Sequence, residues 1–226
     1  MEDFGFYLQR IKMKRNRLIF LLLISAASAV LNAQEMEIST EKNKDLGYIS
    51  KAVLEFSPEY AETVSGILCD LNNYNDWALT GLNGKDEVSK DFMGILDALN
   101  YNEFVKVMDM KYSVNLPWPF GSEGKSLFMK PTVSGNEHIT TVKFIFEENS
   151  GAIKSGTIIF SVRKSDENTA LLEVWGAIKL AWYFDIFITD KIYKKSVEVK
   201  VLQIAKNLVN YGMDQYAEAV LQVDKS

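Results

Sequence analysis

The stretch DIFITDKIYKKSVEVKVLQIAKNLVNY, residues 185–211, decides how this chain folds. Tyr193, Val197, Val201, Ile204 and Leu208 recur at steps of three and four, which puts them on one stripe of a helix. Lys194, Lys195, Glu198, Lys200, Lys206 and Asn207 fill the other sides, and no Pro or Gly interrupts the run before Gly212. Such a helix is about 40 Å long at ~1.5 Å per residue. Its apolar stripe needs a partner surface of similar length, and the segments before it read mostly as strands. A curved antiparallel β-sheet wrapped round the helix satisfies both demands, so the expected class is α+β.

Composition narrows the function classes. The 226 residues are 47% hydrophobic and 24% charged, which suits one globular domain with a substantial core. A formal net charge of -5 argues against a nucleic-acid partner, whose phosphates require a basic face. Residues 1–33 read as a secretory signal peptide. Lys12, Lys14, Arg15 and Arg17 precede the apolar run of residues 18–24, and small residues follow, with cleavage after Ala29 or after Ala33. Either Met1 or Met13 serves as the start. The expected product is exported, periplasmic or secreted, and soluble after cleavage. Cys69 is the one cysteine, so no intramolecular disulfide can form.

Residues 34–47 read as a flexible leader, residues 48–212 as the domain, and residues 213–226 as a C-terminal tail. Residues 48–56 alternate as a first strand, then Ser57-Pro58-Glu59 reads as a helix start with a hydroxyl N-cap. That helix carries Ala61, Val64, Ile67, Leu68 and Leu71 on one side, and a second short helical segment runs to Trp77. Residues 92–99 match both periods, with Gly94 and the short length favouring a strand. Residues 100–102 read as a turn into a strand over 104–114, where Phe104, Met108, Met110 and Tyr112 share a face. Strands over 124–133, 138–147, 156–164 and 169–180 follow, joined by short turns that make neighbours antiparallel. On the last of them Trp175 shares a face with Glu173 and Lys179. Either the tryptophan faces solvent, or two charges enter the interior and need partners there. Between residues 114 and 122, Leu116-Pro117-Trp118-Pro119-Phe120 is either a rigid connection or a rim loop. As a rim, its aromatics would cover a pocket mouth or make transient membrane contact.

This order resembles the START-like, Bet v 1-type helix-grip superfamily. Ser57-Pro58 with Asp70, Tyr74 and Trp77 is similar to its first helices, Pro117-Trp118-Pro119 to a proline-aromatic loop, and residues 182–208, with Lys194-Lys195-Ser196 inside, to the gripped helix. The likeness spans about residues 48–212. One departure is that residues 121–125 (GSEGK) stand where START domains usually carry an Arg-Asp pair, which leaves the subgroup and its ligand open. The resemblance implies an apolar cavity between sheet and helix that holds a lipid, sterol or polycyclic molecule. Expected lining residues are Trp77, Met108, Tyr112, Trp118, Phe120, Phe144, Phe146, Phe160, Trp175, Phe187, Val197 and Val201.

Catalytic signals are sparse. His138, the one histidine, stands at a strand start after a turn, where a solvated role is commonest. One His and one Cys cannot assemble a common transition-metal site, and neither metal nor cofactor is implied. Residues 121–126 (GSEGKS) mimic a phosphate loop, but two residues rather than four separate the glycines and a strand follows. Three readings stay open: a carrier for an apolar ligand, which the resemblance favours; a cyclase- or dehydratase-like enzyme using Glu173, Asp109 or Tyr112; and an interaction domain with a closed core. A cavity of several hundred Å3 separates the first two from the third, on the order of the 300 Å3 or more of known ligand pockets.

Overall fold

A computed structural model of the chain describes residues 37–82, 96–114, 116, 120–146, 152–165 and 167–223, all within one compact unit. Residues 1–33 and 92–95, and Trp118, lie outside the described residues. The described strands are β1 (Glu37–Asn43), β2 (Gly47–Phe56), β3 (Leu96–Asn102), β4 (Val107–Val114), β5 (Ser122–Gly135), β6 (Ile139–Phe146), β7 (Ile153–Lys164) and β8 (Ala170–Leu180). They form one sheet in the order β1-β2-β8-β7-β6-β5-β4-β3, every pairing antiparallel. Among the described residues four α-helices accompany it: α1 (Ala61–Cys69) and α2 (Tyr74–Trp77) after β2, then α3 (Phe184–Phe187) and α4 (Asp190–Val223) after β8. This is the helix-grip architecture.

Period-2 alternation sets the inner face. Ala52 pairs with Val174 and Leu54 with Leu172; Val142 pairs with Phe160 and Phe160 with Val174. These side chains are buried, as are Val64, Leu68 and Leu82 from the helical segment. One residue of slip in any pairing would send such a row to solvent.

The helix boundaries differ from the sequence reading at both ends. Residues 185–189 are not its first turns, because Ile188 is extended (φ -120°, ψ 111°) and separates α3 from α4. The start is set by Thr189, whose Oγ1 accepts from the Ile192 N–H at 3.3 Å as an N-cap, with Asp190 in the first turn. At the other end the helix does not stop at 212 with a tail beyond it; it continues to Val223, 34 residues and about 50 Å in all. Gly212 lies at the crossing with α1, where a Cβ would stand 2.6 Å from Val64 Cγ2. Tertiary contact therefore uses the missing side chain and overrides its weak helix preference. Lys200 and Asn207, expected on the solvated side, are buried. Asn207 donates to the Thr80 carbonyl and accepts from Gln203, both at 2.8 Å, because the segment after α2 covers a second face of α4.

Three smaller corrections follow. Residues 37–43 of the expected leader are the edge strand β1, joined to β2 by a turn in which the Asn43 side chain accepts from the Asp45 and Leu46 amides. Ser57 makes no cap; its hydroxyl bonds Glu59, and Pro58–Tyr60 is a single 3-10 turn before α1. The turn expected at 100–102 is strand, and the reversal comes at residues 103–106, where Phe104 is 98% exposed rather than facing inward.

Gly212→Leu should push α1 off α4 and lower stability by about 1–3 kcal/mol, the range for overpacking. In a domain of this size that shifts Tm by roughly 2–12 °C. Thermal unfolding followed by circular dichroism measures it, and an unchanged Tm would show that the crossing has slack.

Candidate functional site

The gripped helix treats its two halves differently. Ala205, Leu208 and Val209 have no exposure and are packed solid, with α1 against this half of the helix. Over the N-terminal half a cavity of about 90 Å3 lies between α4 and strands β1, β2, β8 and β7. Tyr193, Val197, Val201 and Ile204 form its roof. Ile38, Ala52, Ile158, Phe160, Val174 and Ile178 form its floor and walls.

The space exists because the floor is built from small residues at paired positions. Gly176 lies opposite Ser50 on one side and Ile158 on the other. A Cβ added there would meet only the Thr157 carbonyl oxygen, at 3.9 Å. With Ser50 and Ala52 alongside, three neighbouring floor positions carry little or no side chain. Among the described lining residues the polar ones are Ser50, Tyr193 and the exposed Lys51. The Ser50 hydroxyl is 3.1 Å from that of Thr40 on β1. An apolar hollow of this kind favours an apolar occupant. It holds roughly three waters' worth of space, at ~30 Å3 each, and is far smaller than the several hundred Å3 the sequence reading required.

A tyrosine pair closes the end of the cavity. The Tyr48 and Tyr193 rings stack with centroids 3.7 Å apart and planes at 15°. Tyr48 Oη donates to Asp190 Oδ1 at 2.8 Å, and Lys42 Nζ lies 3.7 Å from the same oxygen and 5.1 Å from the Tyr48 ring centre. Burial pushes both phenols above their ordinary range; for Tyr48 the bond to Asp190 adds to this and Lys42 opposes it. Both hydroxyls therefore remain protonated at neutral pH. The Lys42–Asp190 pair is exposed and contributes little, so the stack and the phenol hydrogen bond are the fastening.

Of the residues expected to line a pocket, Phe160, Val197 and Val201 stand in this lining. Trp77, Met108, Tyr112, Phe144 and Phe146 are buried elsewhere and serve as packing. Tyr74, for example, sits 4.8 Å from Trp77 and 5.8 Å from Phe144, centroid to centroid. Phe120 and Phe187 lie 5.0 Å apart in an aromatic cluster with Tyr183, away from the cavity. Trp175 is half-buried on the convex face, opposite Lys51 and Ile159, so neither Glu173 nor Lys179 enters the interior with it. On that face Glu173 is held by Arg163 at 2.8 and 3.1 Å.

The structure does not bring Glu173, Asp109 and Tyr112 together: Asp109 and Tyr112 lie on opposite faces of β4. Burial raises the Tyr112 phenol, with the Ile153 and Ala152 backbone partly opposing. His138 is exposed in a turn, its amide bonded to Asn136 Oδ1 at 2.9 Å. Cys69 is half-buried, and burial raises its thiol. Among the described residues no group of His, Cys, Asp and Glu could hold a metal ion, and no helix is long and apolar enough to cross a membrane.

No family model and no curated protein matches this chain. Solved structures do resemble it. A START superfamily protein from Mycobacterium smegmatis is 13% identical, with 75% of this chain and 99% of that one covered at a TM-score of 0.48. Human STARD10 is 10% identical, with 84% and 78% covered at 0.49. Truncated norcoclaurine synthase from Thalictrum flavum is 13% identical, with 76% and 93% covered at 0.40. Likenesses this distant concern the fold alone, and the fold assignment stands on the strand order and register described above.

Tyr48→Ala should loosen only the N-terminal half of α4. Hydrogen exchange should accelerate at amides 193–201 and stay unchanged at 205–212, while Tyr48→Phe, which keeps the stack, costs about 1 kcal/mol. Equal acceleration along the whole helix would mean that the tyrosine pair is not a local fastening.

Proposed function

We propose that this protein is an exported binding protein for an apolar molecule of the lipid, sterol or polycyclic class. The ligand enters between the N-terminal half of α4 and strands β1, β2, β8 and β7. The observation that carries this reading is the apolar hollow over Gly176, placed under the half of the helix that carries the Tyr48–Tyr193 stack.

At about 90 Å3 the hollow is a nucleus for a binding site rather than a full one, since ligand pockets are commonly ~300–1,000 Å3. Occupation therefore requires α4 to lift at its N-terminal end while its C-terminal half stays on α1. The favourable term is burial of apolar surface, about 25 cal/mol per Å2. Burying roughly 300 Å2 of ligand gives about 7 kcal/mol before the costs of opening and immobilisation. Ser50 and Thr40 supply a hydroxyl pair that can orient one polar group of the ligand. No Asp, Glu or His is among the described lining residues, which supports binding over acid–base turnover at this place. Export rests on the basic and apolar pattern of residues 1–33.

Extraction and native mass spectrometry of the purified mature protein test the reading, together with titration of a homologous series of fatty alcohols. The wild type should carry or take up an apolar molecule. Gly176→Leu should fill the floor, reduce affinity at least about tenfold, a loss of ~1.4 kcal/mol, and leave Tm unchanged or higher. A wild type that purifies empty and binds no member of the series would end the proposal.

A further inference from the structure

The convex side of the sheet carries a second feature, independent of the cavity. A groove of about 830 Å3 opens where the turn at residues 103–106 meets the outer face of β4 and β5. Three large apolar side chains stand in it unprotected: Phe104 is 98% exposed, Val105 65% and Phe128 61%. Single exposed apolar residues are ordinary, but three that share one groove mark a contact surface.

Their presentation is fixed rather than loose. The Asn102 side chain accepts from the Phe104 and Val105 amides at 3.0 and 3.3 Å, which sets the turn. Asn72 Nδ2 donates to Glu103 Oε1 at 2.6 Å and ties the turn to the segment after α1. Phe128 lies directly across from Asp109, and Asp109 across from Asn100, so the groove floor is one cross-strand row.

Among the described lining residues the charged side chains are Glu103 and Asp109, with Lys106, Lys111 and Lys130 at the margins. Asp109 Oδ1 is shielded from solvent. That oxygen has no donor among the described residues, and Asp109 lies across from the Phe128 side chain. Carboxylates next to exposed rings are complementary to a cation on an apolar body, through ion pairing and cation–π attraction together. A neutral apolar partner would bury Asp109 without supplying the missing donor.

We propose that this groove docks an apolar segment of a partner polypeptide that carries a lysine or arginine. Phe104 and Phe128 take the apolar side chains and Asp109 with Glu103 takes the cation. The test uses the mature protein and two synthetic peptides, acetyl-Leu-Lys-Phe-Lys-Leu-amide and its glutamate counterpart, followed by two-dimensional amide NMR. The lysine peptide should shift the amides of residues 101–109 and 128. The glutamate peptide should bind at least about tenfold more weakly, and added salt should weaken the lysine complex. Phe104→Ser, harmless to folding at so exposed a position, should cost roughly 30-fold, a hot-spot-sized loss. Asp109→Asn should remove the preference for lysine over glutamate. Absence of binding by either peptide, equal binding by both, or binding that survives Phe104→Ser would overturn the proposal. So would Phe104-dependent sedimentation with anionic phospholipid vesicles in place of peptide binding.

Discussion

A helix of 34 residues can be buried along its length only if something different is done for each part of it. Over its C-terminal half, α1 comes close because Gly212 offers no side chain at the crossing, and the core there is filled by Leu208, Val209 and Ala205. Over its N-terminal half the sheet below has small residues at the paired positions Ser50 and Gly176. The stacked rings of Tyr48 and Tyr193 help to hold that half. Both the solid core and the hollow follow from this one division of labour along α4.

The same constraint explains how the sheet is finished. Its edges are β1 and β3, and unpaired edge groups invite association with other chains. On β3, Leu96 N–H donates to the Leu82 carbonyl and Leu99 N–H to Asn75 Oδ1, so the segment around α2 covers this edge. On β1 the residues are mostly charged or polar, EISTEKN, which discourages pairing. The convex face is stabilised by polar cross-strand pairs such as Arg163–Glu173 and Thr141–Ser161. Against that background the apolar turn of Phe104 and Val105 is an exception.

Much of the architecture was legible because it is periodic. The stripe on α4 and the alternation of Val142, Phe144 and Phe146 gave the long helix and the strands beneath it, and with them the helix grip. The edge strand β1 was not legible, because only Ile38 among its seven residues is a large apolar one, so no alternation shows. The helix end was misread at Gly212, since a glycine that stops a free helix can also be the point where two helices touch. For the site, large aromatics were the wrong signal. Trp77, Phe144 and Phe146 fill space, while the hollow is made by residues that leave space empty, Gly176, Ser50 and Ala52. Their juxtaposition depends on β2 pairing with β8, which no local pattern reports.

That pairing also governs when the protein can become itself. Ala52 meets Val174 across β2 and β8, a closure spanning on the order of 120 residues, and non-local pairing of this kind is slow. During synthesis β2 has only the weak edge strand β1 for company until nearly all of the chain has emerged, while the later hairpins can already form among themselves. The nascent molecule is thus a half-sheet awaiting its seam, and the seam is the place where the hollow lies. The floor of the hollow therefore cannot close before β8 has been made, and its roof follows with α4.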